Sequence, residues 1–132
     1  MPLYDTSIFV GHVRGNVRTR SLIKMLQEGT WSVFVSSITI YELHFGCLLS
    51  NDPVRDQGRV ARYVSHVSGI LPVDSLVARR AAEIQVELRR DNRMLDHRDL
   101  FVAATALVHG LSVCTLDVDH FGRVTGVVLE KF

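Results

Sequence analysis

Four carboxylates in this chain stand beside sequence that must be buried: Asp5 in "PLYDTSIFV", Glu42 in "SSITIYELHFG", Asp99 in "RDLFVAATALVHG" and Asp117 in "VCTLDVDHF". An ionised carboxylate next to a buried apolar run is costly unless it is paired, hydrogen-bonded or bound to a metal. Each acid alone has an ordinary explanation. Asp5 or Thr6 reads as the cap of a helix that starts right after a strand. Asp99 reads as a first-turn acid complementing a helix dipole, Glu42 as a face residue and Asp117 as a cap or turn residue. Gathered together they would behave differently. Two carboxylates about 4 Å apart repel by roughly 4 kcal/mol at an effective dielectric near 20. Three or four must therefore be partly protonated or hold a divalent cation. An all-oxygen donor set suits Mg²⁺ or Mn²⁺, whereas zinc would call for His or Cys. Such ions bind phosphate oxygens, activate water and stabilise a leaving alkoxide, so a phosphodiester is the natural substrate.

The elements that must carry these acids alternate between short apolar runs and longer amphipathic ones. The apolar residues of "PLYDTSIFVG" read as a first, central strand over Leu3 to Thr6, delivering Asp5 at its C-terminal end. A helix follows from about Arg20 to Glu28, with Leu22, Ile23 and Leu26 on one face and Gly29 as its stop. "WSVFVSS" reads as strand two, and Ser36 or Ser37 caps a helix through "ITIYELHFGCLLS". Asp52 and Pro53 begin a further helix that ends near Gly69, with Val60, Val64 and Val67 inward. "ILPV" is a short third strand, and Asp74 caps a long helix carrying Val77, Ala81, Ile84 and Leu88 at helical spacing. "RDLFVAATALVHG" is apolar nearly all round and belongs in the middle of the fold. "LSVCT" is strand four, "DVDHFGRV" a turn or short helix, and "VVLE" a final strand. This alternation predicts an α/β domain over residues 1–132, three-layered, with a mainly parallel central sheet flanked by helices. Ligands of such folds gather beyond the carboxyl ends of the strands, where strand order reverses. That is where all four acids fall.

Composition narrows the setting. The chain is 47% apolar and 22% charged, without a repeat, linker or low-complexity tract. The apolar-rich stretch Leu100 to Val108 is far too short to cross a bilayer. The start lacks the basic n-region and cleavage site of a signal peptide, which makes the cytoplasm the expected compartment. Cys47 and Cys114 are far apart among apolar neighbours and read as buried free thiols. A net charge of +1 excludes a strongly basic nucleic-acid binder. The arginines nevertheless bunch, and Arg89, Arg90, Arg93 and Arg98 approach the Asp99 end as candidates for holding phosphates.

In order and spacing, "YDTSIFV", "SSITIYELHFG", "RDLFVAATALVHGLSVCTLD" and "DVDHFGRVTGVVLE" resemble the PIN-domain nucleases, and among them the VapC-type toxins of toxin–antitoxin pairs. The resemblance runs nearly end to end. It implies a Mg²⁺- or Mn²⁺-dependent endoribonuclease whose acids match Asp5, Glu42, Asp99 and Asp117, with Asp119 competing for the fourth place. Thr6, Ser7 and Thr115 match its supporting hydroxyl positions. It also implies a homodimer and a cognate antitoxin that blocks the acidic groove, and Phe45, Leu48, Leu49 and Tyr63 are candidate contacts. The loop "MLDHRDL" departs from the family's usual Gly- or Pro-containing one and sets Asp96 and His97 beside the site. His97 is a candidate for proton transfer. The remaining histidines show no ligand spacing. Two other classes compete. An aspartyl-nucleophile phosphatase needs a second Asp where Ser7 stands. A catalytically inactive PIN-like binding module would be marked by missing acids.

Overall fold

The computed structural model describes residues 1–132. Four short strands, β1 (Pro2–Tyr4), β2 (Phe34–Ser36), β3 (Gly69–Leu71) and β4 (Ser112–Cys114), form one sheet in the order β3-β2-β1-β4. All neighbours are parallel, with Leu3 opposite both Phe34 and Val113, and Tyr4 opposite Cys114. The helices are α1 (Thr6–Val13), α2 (Arg20–Glu28), α3 (Ser37–Leu49), α4 (Pro53–His66), α5 (Ser75–Arg90), α6 (His97–His109) and α7 (Val118–Phe121).

Strand side chains alternate between faces, and this divides the core in two. Leu3 and Val113 point into a cluster with Val77, Ala81, Ile84 and Leu88 of α5 and the apolar length of α6. Tyr4, Val35 and Cys114 point the other way, against Ile8 and Phe9 of α1, Leu22 and Ile23 of α2, and Leu43 of α3. The three-layer α/β expectation is met. Sequence caps set the helix boundaries. Asp52 accepts from Arg55 N at 3.1 Å and Asp74 from Val77 N at 3.0 Å. Gly29 and Gly110 close α2 and α6 in the left-handed conformation, at φ 67° and 65°. Of the two candidate serines, Ser36 caps α3 through Ile38 N, while Ser37 accepts from Val73 N beyond β3.

Several expectations are corrected. Thr6 to Val10 are helical, not strand: the extended Asp5 (φ −74°, ψ 157°) turns the chain and caps α1 through Ser7 N. Short apolar runs fit either element, and here the cap decides. The helix begun by Pro53 ends at His66, because Val67 is already extended and leads into β3. Strand two is limited to Phe34–Ser36. "VVLE" makes only one bridge, Val113 to Leu129, held by Val113 N to Val128 O (2.8 Å) and Glu130 N to Val113 O (2.9 Å). Tyr63 is core, not surface, with its hydroxyl 2.6 Å from His12 Nδ1. Phe45, Leu48 and Leu49 are exposed, as expected, and so is Tyr41, stacked on Phe45 at 6.0 Å between ring centres.

Candidate active site

Strand order reverses between β1 and β4, since β2 and β3 lie on the other side of β1. Asp5 follows β1 directly, and its N–H donates to Cys114 O at 2.9 Å, the last bond of that strand pair. Its carboxylate therefore stands at the switch point, only 3% exposed. Oδ2 accepts from Ser7 N (3.4 Å), Ser7 Oγ (2.8 Å) and Thr115 Oγ1 (2.9 Å), while Oδ1 accepts no hydrogen bond. Ser7 Oγ in turn accepts from Leu116 N, and Thr115 Oγ1 from Asp117 N, both at 2.9 Å. Two hydroxyls thus use donor and lone pair alike to tie the end of β1, the first turn of α1 and the chain after β4 into one unit.

The other acids arrive from three further elements. Glu42 sits in the second turn of α3, half-buried, with Oε1 2.8 Å from Thr6 Oγ1, which also bonds Thr39 Oγ1 at 3.0 Å. Asp99 is in the first turn of α6, but Asp96 performs the capping there, accepting from Arg98 N at 2.9 Å. Asp117 occupies the N-cap position of α7 without making a side-chain cap bond, so its exposed carboxylate stays free. The capping explanation fails for Asp117, while Asp99 lies in the first turn of α6 as its helix-dipole reading expects. For Asp5 capping holds, and the same carboxylate also faces the site.

The acids act on one another through their charges. Burial pushes the Asp5 carboxyl up to about 6; the Ser7 and Thr115 bonds oppose this, and the charge of Asp99 adds to it. Asp99 is raised as well, first by burial; the neighbouring His120 pulls it down, and the charges of Asp117, Asp96 and Glu42 push it up. Asp119 is not among the groups acting on Asp99; it lies in the first turn of α7, facing a cleft with Arg93 and Arg123. Two basic side chains reach the acids. Arg98 Nη1 is 3.7 Å from Glu42 Oε2, and His120 Nδ1 is 3.4 Å from Asp99 Oδ2. Neither neutralises Asp5. No three His, Cys, Asp or Glu side chains converge on a single ion-holding point, so the acids line an open edge rather than a closed cage. The donor set nonetheless fits a hard divalent cation: all oxygen, mutually repelling, with Asp5 Oδ1 left open.

The arginines divide. Arg98 is engaged with Asp96 (3.1 Å) and Glu42, whereas Arg89, Arg90 and Arg93 are exposed and form no ion pair. His97 opens α6 at the surface and contacts none of the four acids. Sequence reasoning missed His120, Thr39 and Arg123. Thr39 stands three residues before Glu42 on α3, a spacing that puts both on one face. His120 and Arg123 gain meaning only once α7 is folded against α6.

Known proteins share this fold and this length of sequence. The PIN domain family matches residues 3–127. A tRNA(fMet)-specific endonuclease VapC from Shigella flexneri is 31% identical over 130 residues, 98% of this chain and 96% of that protein. Among solved structures, a DNA-bound VapBC from Salmonella typhimurium superposes with a TM-score of 0.86 at 26% identity, covering 98% of each chain. VapBC-5 from Mycobacterium tuberculosis, a member of the VapBC family of toxin–antitoxin systems, superposes at 0.68 and 25%, covering 98% of this chain and 94% of that one. This chain belongs to the PIN-domain family and, within it, to the VapC group.

Proposed function

We propose that the protein is a divalent-metal-dependent endoribonuclease, the toxic member of a toxin–antitoxin pair. The observation that carries this reading is Asp5: an almost fully buried carboxylate at the switch point, with one oxygen unpaired and the charge of Asp99 acting on it. Asp5, Asp99 and Asp117 are the residues that would hold Mg²⁺ or Mn²⁺. When bound, the ion supplies positive charge for phosphate oxygens and lowers the pKa of an attacking water. Glu42, steadied by Thr6, is placed to orient that water and accept its proton. Ser7 and Thr115 fix the Asp5 rotamer, which limits the reorganisation needed during the reaction. Asp117 takes the fourth role ahead of Asp119, because its backbone is held by Thr115 and its charge acts on Asp99.

The partners follow from the family. A cognate antitoxin and a second copy of the chain are proposed, and the exposed Tyr41, Phe45, Leu48 and Leu49 of α3 offer apolar surface for them. An apolar groove lined by Phe9, Val10, Leu43 and Val60 opens onto Glu42, a route by which a bound segment would reach the acids. No helix is long and apolar enough to cross a membrane, and we place the protein in the cytoplasm.

Metal linkage tests the proposal. Mn²⁺ at 100 times its Kd is expected to stabilise the fold by about 2.7 kcal/mol, read as a rise of several degrees in the melting midpoint. The same preparation should cleave single-stranded RNA, and EDTA should stop it. A protein whose melting ignores Mn²⁺ and whose RNA stays intact is a binding module, not a nuclease.

A further inference from the structure

We propose that the cleft between the end of α5, the loop 91–96 and α7 is a docking track for the sugar–phosphate backbone of a single RNA strand, with Arg93 and Arg123 contacting its phosphates. The inference rests on the nuclease reading and adds the side from which the strand approaches the acids.

Two cavities, of about 660 and 490 Å³, share Arg93, Met94 and Arg123 as a common wall. The first continues past Asn92 to Asp119, two residues from Asp117; the second passes Arg89 and reaches Asp96 and His97, where α6 begins. The joined cleft thus runs alongside the acidic edge and touches the elements that carry Asp99 and Asp117. Its arginines are free of carboxylate partners. Four other guanidinium groups are compensated: Arg55 and Arg59 by Asp56, Arg80 by Glu83, and Arg98 by Asp96. Within the cleft, Asp96 is committed to Arg98, which leaves Asp119 as the only other acid.

The arginines are also held in place. Arg123 Nη1 donates to Met94 O at 2.8 Å, which fixes the guanidinium while sparing its other N–H groups. Arg93 N donates to Leu88 O at 2.7 Å, and Asn92 turns the chain there through a left-handed conformation (φ 56°). Guanidinium forks on a rigid turn suit phosphate oxygens. Met94, 84% exposed between them, adds an apolar surface against which a base can lie. An open, arginine-lined groove beside the elements that carry Asp99 and Asp117 fits a strand that extends beyond the scissile bond better than it fits a free anion.

The test is equilibrium binding of a fluorescein-labelled 12-nucleotide RNA to the Asp5→Asn protein with Mg²⁺ present, as a function of KCl. Arg93→Ala should weaken binding about tenfold, and adding Arg123→Gln about tenfold more. The slope of log K against log salt should fall by about 0.7 for each phosphate that is no longer neutralised. Arg62→Ala, an exposed arginine on α4 across the sheet, should leave both unchanged. Melting curves identify any variant that misfolds, and Arg123→Lys then supplies a milder substitution with the same expected direction. Unchanged affinity and slope in Arg93→Ala and the double variant, while the wild type cleaves RNA with Mn²⁺, would overturn the track alone. Absence of both cleavage and binding in the wild type would overturn the nuclease reading and the track with it.

Discussion

Asp5→Asn is expected to give a folded protein, dead for cleavage, that is more stable than the wild type at pH 7.5 in the absence of metal. Burial holds the Asp5 carboxyl at about 6 in the fold, above its ordinary value. At pH below about 4, folded and unfolded states both carry the proton, and the group costs nothing. Between about 4 and 6 the unfolded chain releases it first, so stability falls as pH rises. Above about 6 the penalty is complete, roughly 3 kcal/mol for a rise of that size. An asparagine removes the charge and keeps the shape. Its carbonyl oxygen can still accept from Ser7 and Thr115, and its amide occupies the open side now taken by Oδ1. Urea denaturation at pH 7.5 in EDTA should show a gain of about 1–3 kcal/mol, shrinking to nothing near pH 4. RNA cleavage with Mn²⁺ should fall by at least about 100-fold, and the Mn²⁺-dependent rise in melting temperature should disappear. An asparagine variant that is less stable at pH 7.5, or that cuts like the wild type, would refute the assignment.

The second large effect is expected at Thr115, which is 1% exposed. Thr115→Val keeps the volume and deletes a hydroxyl that serves two acids at once. The Asp5 carboxylate loses a 2.9 Å donor, and the Asp117 N–H loses its only bond partner, also at 2.9 Å. The stability cost is about 2 kcal/mol for the unmade bonds. The rate should drop by more than about tenfold, with apparent Mn²⁺ affinity falling alongside it, because Asp117 is no longer held beside Asp99. Thr115→Ser should recover both affinity and rate. If valine destabilises the fold but leaves Mn²⁺ affinity intact, Thr115 is a packing residue only.

Much of this arrangement can be read from the chain, because its devices are local. Asp52 with Pro53, Asp74 and Gly110 mark helix ends whatever surrounds them, and α4, α5 and α6 start or stop there. The edge on which Asp5, Glu42, Asp99 and Asp117 meet follows from parallel strands joined by helices. What eluded the sequence was nonlocal or ambiguous. Ile8, Phe9 and Val10 suit a strand as well as a helix, and reading them as strand made Asp5 look like either a cap or a site residue. It is both, since Oδ2 caps and Oδ1 is open. That same misreading hid the partner of Tyr63, because His12 lies on α1. The apolar "VVLE" alternates like a strand, yet Val128 faces solvent and the segment meets β4 only at Val113. His120 and Arg123 carry no spacing signal, and only the packing of α7 brings them to the acids and the cleft.

Cys114 gives the acidic edge a clock. Its carbonyl receives the Asp5 N–H, and its thiol, fully buried and pushed by burial up to about 12, is shielded while that face of the sheet stays packed against α1 and α2. The rate at which an alkylating reagent finds Cys114 in the native protein therefore measures how often that packing opens at the end of β4. Labelling no faster than global unfolding would mark the edge as a permanently closed hinge-point of the molecule, and Mn²⁺ should slow it further. Faster labelling, with Cys47 on α3 as the internal reference, would mean that this edge opens and closes on its own timescale.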